Sequence, residues 1–295
     1  LLTSEDFEKY RVVKRKPLRT EFGGFDVYLN PPPAQSGILI DVTLSLLEKE
    51  HCRRNRSVPL ADLVAAFDVT NQIRRERLPV GAIDQVQAAP STESWFEEYL
   101  EKYRRNSPGG SSQEERSAGS TTHISVLDIE GNSASVTTTN GEGCGYILPG
   151  LGFMLNNMLG EQDLNPQGFH RYLPGQRLSS MVAPTIVLHE GEPILVTGTA
   201  GSNRIRSVIT QLLLWTLCEG RCVREATELP RIHLEGNLLS AEPGVSEKAL
   251  RELEDRYEIH RWPSFALFFG GANSVTPSQG AGDSRRGGWS LESSP

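Results

Sequence analysis

Hydrophobic and polar positions repeat with two different periods along this chain, and the change between them predicts a mixed α and β fold. In the first 105 residues many apolar positions recur at helical spacing, as in PLADLVAAF at 59–67 and SWFEEYLEKY at 94–103. After residue 120 they alternate with polar residues, as in ISVLDIEGNSASVTTT at 124–139. This second pattern is typical of a β-hairpin.

The same reasoning along the whole sequence predicts a helix after Thr3, a strand at Phe25–Leu29, helices at 38–47, 59–67 and 94–103, a hairpin at 124–136, a hairpin at 181–201, helices at 202–220, 223–229 and 246–256, and strands near 257–261 and 265–269. Ser202 or Asn203 is expected to cap the helix at 202–220, and Gly220 is expected to end it. Because hairpins and helices occur in groups, we expect an α+β fold in which stacked sheets are flanked by helices.

Residues 106–120, NSPGGSSQEERSAGS, contain no large apolar side chain. Such a segment cannot bury enough surface to offset the entropy of ordering it, so we expect a flexible linker. The linker divides the chain into three regions, 1–105, 106–120 and 121–295. It ends where Thr121 begins the first hairpin.

Composition narrows the class of protein. The 295 residues are 37% hydrophobic and 23% charged with a formal net charge of −7, which favours a globular protein and argues against a nucleic-acid partner. The basic groups at 53–56 and 74–77 are interpreted as solvated helix faces. The four cysteines, Cys52, Cys144, Cys218 and Cys222, lack zinc-ligand spacing and are interpreted as incidental thiols. No apolar run is long enough to span a membrane.

The first residue is Leu1 rather than methionine. No charged segment followed by an apolar signal core opens the chain. We therefore expect a processed product or a part of a longer protein, and we assign no compartment.

Thr121 is the candidate nucleophile. A threonine hydroxyl needs a base, and the six histidines accompany no G-x-S-x-G motif. If the bond before Thr121 were cut, its own α-amine, with a pKa of about 8, could act as that base. From the residues alone, a linker that simply meets a strand explains the pattern as well. His123 is expected on the same side of the strand as Thr121, in a structural role.

Four segments in order, TTHISVLDIEGNSASVT, RLSSMVAPTIV, LVTGTAGSNRI and EATELPRIH, resemble small-subunit motifs of the gamma-glutamyltransferases, or glutathione hydrolases. This family belongs to the N-terminal nucleophile hydrolases, which fold as an αββα sandwich. LTSEDFEKYRVVKRKPL and NPPPAQSG resemble the end of its large subunit. The resemblance covers essentially the whole chain, with 52–120 loosely matched, and implies that most of a large subunit and its carboxylate-binding arginine lie outside it.

The resemblance also implies an activity. The chain would cleave itself between Ser120 and Thr121, and the two pieces would remain together as a heterodimer. Thr121 would then attack the γ-amide of a glutathione-like donor and pass the glutamyl group to water, an amino acid or a peptide. It implies neither a cofactor nor a metal.

Further site residues follow from the resemblance by position. Thr139 would support the nucleophile, and backbone N–H groups at Gly201 and Ser202 would form the oxyanion hole. For the donor, Ser179 and Ser180 would hold the α-carboxylate, Glu161 would hold the α-ammonium group, and Asn140 would take the place of a nearby asparagine.

Three positions differ from the better-known family members. Gly141 stands in place of an asparagine, Met158 in place of a polar residue that contacts the donor, and Ser202 in place of a second glycine. Two other functions therefore stay open. One is a related acylase acting on glutaryl or β-lactam side chains, and the other is a truncated homologue without catalysis.

Overall fold

The computed structural model describes residues 3–50, 57–78, 95–105, 121–165 and 168–293. The linker at 106–120, including Ser120, and Cys52 lie outside these ranges.

The helices of the described residues are α1 (Ser4–Lys9), α2 (Gln35–Glu50), α3 (Leu60–Arg77), α4 (Phe96–Arg104), α5 (Ile205–Leu213), α6 (Val223–Glu228) and α7 (Glu247–Arg251). The strands are β1 (Leu18–Phe22), β2 (Phe25–Leu29), β3 (Thr121–Leu127), β4 (Ser133–Thr139), β5 (Thr185–His189), β6 (Glu192–Ala200), β7 (Ile232–Glu235), β8 (Leu238–Ala241), β9 (Glu258–Arg261), β10 (Gly271–Thr276) and β11 (Gln279–Gly282).

An antiparallel sheet in the order β1-β2-β5-β6-β10-β11 forms the centre of the fold. Helices α2, α5 and α6 contact the sheet, and α3 packs on α2. The apolar side chains of this layer and of the sheet form one core. Because β2 pairs with β5 and α2 packs on α5, the regions on either side of the linker build one structure.

The β3–β4 hairpin packs on the other face of the sheet, over β6 and β10. Gly198 of β6 makes this contact close, because a Cβ there would lie 2.2 Å from the His123 ring. The inner face of the hairpin is polar except for Leu127. Its outer face carries Ile124, Val126 and Val136, which are 58%, 52% and 49% exposed.

The α+β class predicted from the sequence is confirmed. The described ranges provide three layers of the expected αββα sandwich, which are the helices, the central sheet and the β3–β4 hairpin. They place no helix over the outer face of the hairpin.

Several predicted elements need correction. The predicted strand at 265–269 is wrong, because Leu267–Phe269 form a 3₁₀ turn whose aromatic rings pack on Trp262. The strand pairing lies beyond it, in β10 and β11. Their sequence, GANSVT and QGAG, lacks the alternation of large apolar residues that marks a strand.

The helix at 202–220 also begins differently from the prediction. Residues Ser202–Arg204 form a 3₁₀ turn and Arg204 is the N-cap of α5 without a side-chain cap bond, so neither Ser202 nor Asn203 caps it. The helix continues as a π-helical turn at Leu214–Cys218. Gly220 follows with a φ of 68° and ends it, as predicted.

The helix predicted at 59–67 extends as α3 to Arg77. In its last turn Arg75 and Arg77 are exposed, as the interpretation of 74–77 as a solvated face predicts, but Arg74 contradicts it. Arg74 is 9% exposed, because it points into the protein toward polar partners that no local pattern reveals.

Candidate active site

Thr121 is the first residue of β3 and lies directly opposite Thr139, the last residue of β4. The Thr121 hydroxyl donates to Thr139 Oγ1 over 3.0 Å. Side chains opposite each other in an antiparallel pair share one face of the sheet. The register of the hairpin therefore holds the candidate nucleophile against a second hydroxyl.

Thr139 is itself oriented by the loop that follows it. The Gly141 N–H donates to Thr139 Oγ1 over 3.0 Å, and Gly141 has a φ of 65°. A Cβ there would lie 1.8 Å from Glu161 Oε1 and 2.5 Å from Asn157 Oδ1. Glycine is thus required both for the backbone conformation and for the approach of the Glu161 carboxylate.

A cleft of about 20 Å³ opens at this point, lined by Thr121, Thr139, Gly141, Met158, Glu161, Leu164, Met181, Val182, Ser202 and Ile205. This volume corresponds to about one water molecule. Glu161 is the acidic residue in the lining, and Met158 and Met181 add soft apolar surface. The cleft can therefore favour a cationic group next to an aliphatic chain.

The turn from Gly201 to Ser202 closes the cleft on the side of β6. Gly201 has a φ of 133° and Ser202 a φ of 50°. A Cβ on Gly201 would lie 3.0 Å from Gly270 Cα. Ser202 adopts the left-handed conformation without being glycine, a strained arrangement of the kind that occurs at functional sites. Ser202 also lines the cleft, together with Thr121.

The two predicted donor-binding serines lie at the entrance to β5. Ser179 is 1% exposed, and its Oγ lies 2.8 Å from the Tyr172 hydroxyl and 3.4 Å from Gln35 Nε2. The Ser180 carbonyl accepts from Gln35 N over 2.8 Å. Neither serine lines the cleft around Thr121, so the structure places this pair beside it rather than within it.

Asn140 is exposed and is not among the residues that line the cleft. Its carbonyl accepts from Gly143 N over 3.0 Å and from Asn157 N over 3.2 Å. The described contacts of Asn140 therefore hold the loop after β4.

His123 is buried between the hairpin and the central sheet. Ser125 gives its one hydroxyl proton to Asn273 O over 2.9 Å, so it accepts from His123 Nε2 at 2.9 Å. Nδ1 then accepts from Thr137 Oγ1 at 2.7 Å. Burial lowers the pKa of His123 to about 4. The neutral ring is thus fully hydrogen-bonded, and His123 does not line the cleft.

Three polar residues next to the site were missed from the sequence. Gln35 and Tyr172 contact Ser179, and Arg74 donates to Gln35 Oε1 over 3.2 Å and to Asn203 Oδ1 over 2.9 Å. Gln35 stands in the predicted NPPPAQSG motif, which gave the only hint. Nothing local distinguishes Arg74 from Arg75.

No cluster of metal-ligating side chains occurs among the residues that the structure describes. Cys144, Cys218 and Cys222, the cysteines within the described ranges, form no disulfide. Within the same ranges, no helix combines the length and the apolar character needed to cross a membrane.

A threonine hydroxyl at the start of a strand, beside a second packed sheet, is the arrangement expected of the N-terminal nucleophile hydrolases. The cephalosporin acylase of Bacillus halodurans shares the fold, with a TM-score of 0.75 and 19% identity over 99% of this chain and 56% of its own. The sequence profile described as Gamma-glutamyltranspeptidase matches residues 1–291. The chain belongs to this family.

Curated relatives have different activities within the family. The capsule biosynthesis protein CapD proenzyme of Bacillus anthracis is 29% identical, over 97% of this chain and 54% of the relative. The glutathione hydrolase proenzyme of Escherichia coli is 29% identical (86% and 48%), and the acylase ACY 1 proenzyme of a Pseudomonas species is 28% identical (93% and 50%). The chain spans about half the length of these relatives.

Proposed function

We propose that this chain is a self-processing threonine hydrolase and transferase that acts on γ-glutamyl amides such as glutathione. The observation that carries the proposal is the Thr121 hydroxyl, which donates to Thr139 over 3.0 Å in a cleft that also contains the Glu161 carboxylate. Family membership supports it, since curated relatives include glutathione hydrolase proenzymes.

The first reaction is cleavage of the bond between Ser120 and Thr121. Thr121 Oγ attacks the Ser120 carbonyl, the C–N bond breaks, and the acyl group moves from nitrogen to oxygen as an ester. Water then hydrolyses the ester, which releases the Ser120 carboxylate and the Thr121 α-amine. Thr139 supports the attack because it accepts the hydrogen bond of the Thr121 hydroxyl.

The new α-amine acts as the base for the second reaction. With a pKa of about 8 it is partly neutral at physiological pH, so it can take the Thr121 hydroxyl proton as Oγ attacks the γ-carbonyl. The N–H groups of Gly201 and Ser202 stabilise the developing oxyanion. The amine of the donor leaves with a proton, and water or an acceptor amine then releases the glutamyl group.

Donor selection follows from the cleft. Glu161 in the cleft favours the donor's α-ammonium group by charge, and Ser179 and Ser180, which lie beside the cleft, bind its α-carboxylate. Met158 makes apolar contact with the methylene groups of the donor's glutamyl chain. It cannot replace the hydrogen bond that a polar residue at this position would make to the donor. The hydrophobic contact and the ion pair together select a short aliphatic chain with a charged end.

The two pieces form a heterodimer after cleavage. The β2–β5 pairing and the α2–α5 packing join residues from either side of the cut, and their side chains share one core. Cutting the chain at residue 120 removes none of these contacts.

A related acylase is the second candidate. Met158 lines the cleft and cannot pair with an α-ammonium group, and an acylase proenzyme is among the relatives. Such an enzyme would prefer a glutaryl group, which has the terminal carboxylate but no α-amine.

The experiment is expression of the chain followed by intact mass and N-terminal sequencing, with Thr121→Ala and Thr121→Ser beside it. The wild type should give a fragment that begins Thr-Thr-His, the serine variant should do so more slowly, and the alanine variant should stay whole. A folded wild type that stays whole contradicts the proposal, and an unfolded one supports the truncated homologue. Nitroaniline release from γ-glutamyl against glutaryl anilide then separates the transferase from the acylase.

A further inference from the structure

Arg74 joins two parts of the site that come from distant regions of the chain. From the last turn of α3, it donates through Nε to Gln35 Oε1 over 3.2 Å and through Nη1 to Asn203 Oδ1 over 2.9 Å. Gln35 contacts Ser179, and Asn203 directly follows Ser202. We propose that Arg74 is a positioning residue for γ-glutamyl transfer. Arg74 fixes the orientation of the donor-binding Ser179 through Gln35 and the position of the Gly201–Ser202 turn through Asn203. This inference depends on the proposed function.

The contact with Gln35 fixes the direction of its amide. Because Arg74 donates to the carbonyl oxygen, the amide NH₂ faces Ser179 Oγ at 3.4 Å. Tyr172 gives its single proton to Leu164 O over 3.1 Å, so the 2.8 Å bond between Tyr172 and Ser179 is donated by Ser179. Ser179 Oγ therefore accepts from Gln35 and gives its single proton to Tyr172. A carboxylate can take this proton when the hydroxyl rotates away from Tyr172, and the bond from Gln35 holds the oxygen in place meanwhile.

The contact with Asn203 acts on the other wall. Arg74 holds Asn203 Oδ1, and Asn203 Nδ2 donates to Glu235 Oε2 over 2.7 Å. Both ends of the amide are thus fixed. Glu235 also lies 3.7 Å from Arg74 Nη1. The backbone that precedes Asn203 is the strained Gly201–Ser202 turn, so anchoring this side chain limits the positions available to the turn's N–H groups.

Only arginine fits this role. Its rigid planar fork donates in two directions at once, whereas a lysine ammonium is a single compact charge. Arg74 is 9% exposed, Gln35 1% and Asn203 3%. Water is largely excluded from these contacts, so a lost hydrogen bond there is not easily replaced by solvent.

The test uses the full chain, with γ-glutamyl-p-nitroanilide as donor and Arg74→Lys, Gln35→Leu and their combination as variants. Gln35→Leu should raise KM about tenfold and leave kcat nearly unchanged, since it acts through the carboxylate-binding serine. Arg74→Lys should raise KM and lower kcat, each about tenfold, because it acts on both walls. In the combination KM should rise no further than in either single variant.

Arg285→Lys is the matched control. Arg285 is also 9% exposed and is also bonded to buried partners, Glu242 and Asp283, none of which lines the site. It should lower the melting temperature without changing KM or kcat. A KM that stays unchanged in Arg74→Lys, or a kinetic change of the same size in Arg285→Lys, overturns the inference.

Two further outcomes are also decisive. If Arg74→Lys does not melt cooperatively, Gln35→Leu decides alone, and an unchanged KM there overturns the inference. If the wild type processes itself but releases no nitroaniline from γ-glutamyl-p-nitroanilide, the proposed function fails and this inference fails with it. An active wild type with an insensitive Arg74→Lys overturns only the inference.

Discussion

Replacing Thr139 by valine tests the proposed nucleophile most directly. Valine keeps the β-branched shape, so the strand packing is retained, but it removes the oxygen that accepts from Thr121 and from Gly141 N, each over 3.0 Å. Two neutral hydrogen bonds at about 1 kcal/mol each give about 2 kcal/mol. If both act in the transition state, self-cleavage should slow about thirtyfold.

The assay follows the appearance of the fragment that begins at Thr121 by mass spectrometry, over time, from freshly refolded protein. Thr139→Ser restores the hydroxyl and should recover most of the rate. Thr138→Val is the matched control, because Thr138 is exposed and its side chain lies on the opposite face of the same strand. Equal rates for Thr139→Val and Thr139→Ser refute the reasoning, as does an equal loss in Thr138→Val.

Three further changes give expected outcomes at other positions. Glu161→Gln should lower kcat/KM for γ-glutamyl anilide by about tenfold and leave glutaryl anilide unaffected, because only the first donor carries a cation for Glu161; the ratio of nitroaniline release from the two donors measures this. Ser202→Gly should raise the free energy of unfolding by about 1 kcal/mol in urea, since glycine removes the strain at a φ of 50°. His123 should make the fold sensitive to acid. Its pKa of about 4, set by burial, lies below the unfolded value of 6.5. The unfolded chain therefore binds the proton first, and stability is lost as pH falls from 6.5 toward 4. The loss should be about 2 kcal/mol at pH 5 relative to pH 7.5, and smaller in His123→Asn.

Each of these outcomes has a contrary result. An equal loss on both donors would remove Glu161 from ammonium recognition. Weaker stability in Ser202→Gly would show that the serine side chain contributes more than its backbone costs. If His123→Asn is as sensitive to acid as the wild type, the titration belongs to other groups. One of them is His233, because burial lowers its pKa too.

The sequence predicted the elements whose apolar residues have a clear period. The hairpin predicted at 124–136 is confirmed and extends to β3 and β4, Thr121–Leu127 and Ser133–Thr139, because its alternation is regular and its turn contains Gly131. The sequence pattern did not predict β10 and β11. These strands are rich in glycine and small residues, since neighbouring backbone and side chains fill the space where larger groups would stand. Tertiary packing, not local propensity, makes them strands.

Within the site, the structure brings Thr121 and Thr139 together, because these two residues, which the family resemblance had paired, are opposite each other in one hairpin. Sequence reasoning failed where a contact joins distant segments. Arg74 and Asn203 are 129 residues apart, and Tyr172 reaches Ser179 across a loop. The sequence predicts a solvated face at 74–77, and only the packing of α3 shows that Arg74 points inward while Arg75 and Arg77 are exposed.

The pairing of Thr121 with Thr139 has a consequence for how the chain matures. A slip of one residue between β3 and β4 would turn Thr121 away from the cleft and present Thr122 in its place. Under the proposed function, a slipped molecule could not cut the bond between Ser120 and Thr121. Self-cleavage at this bond would then depend on the register of the hairpin. Molecules with the correct pairing would become enzymes, and chain left uncut at this bond would consist of molecules with the wrong pairing.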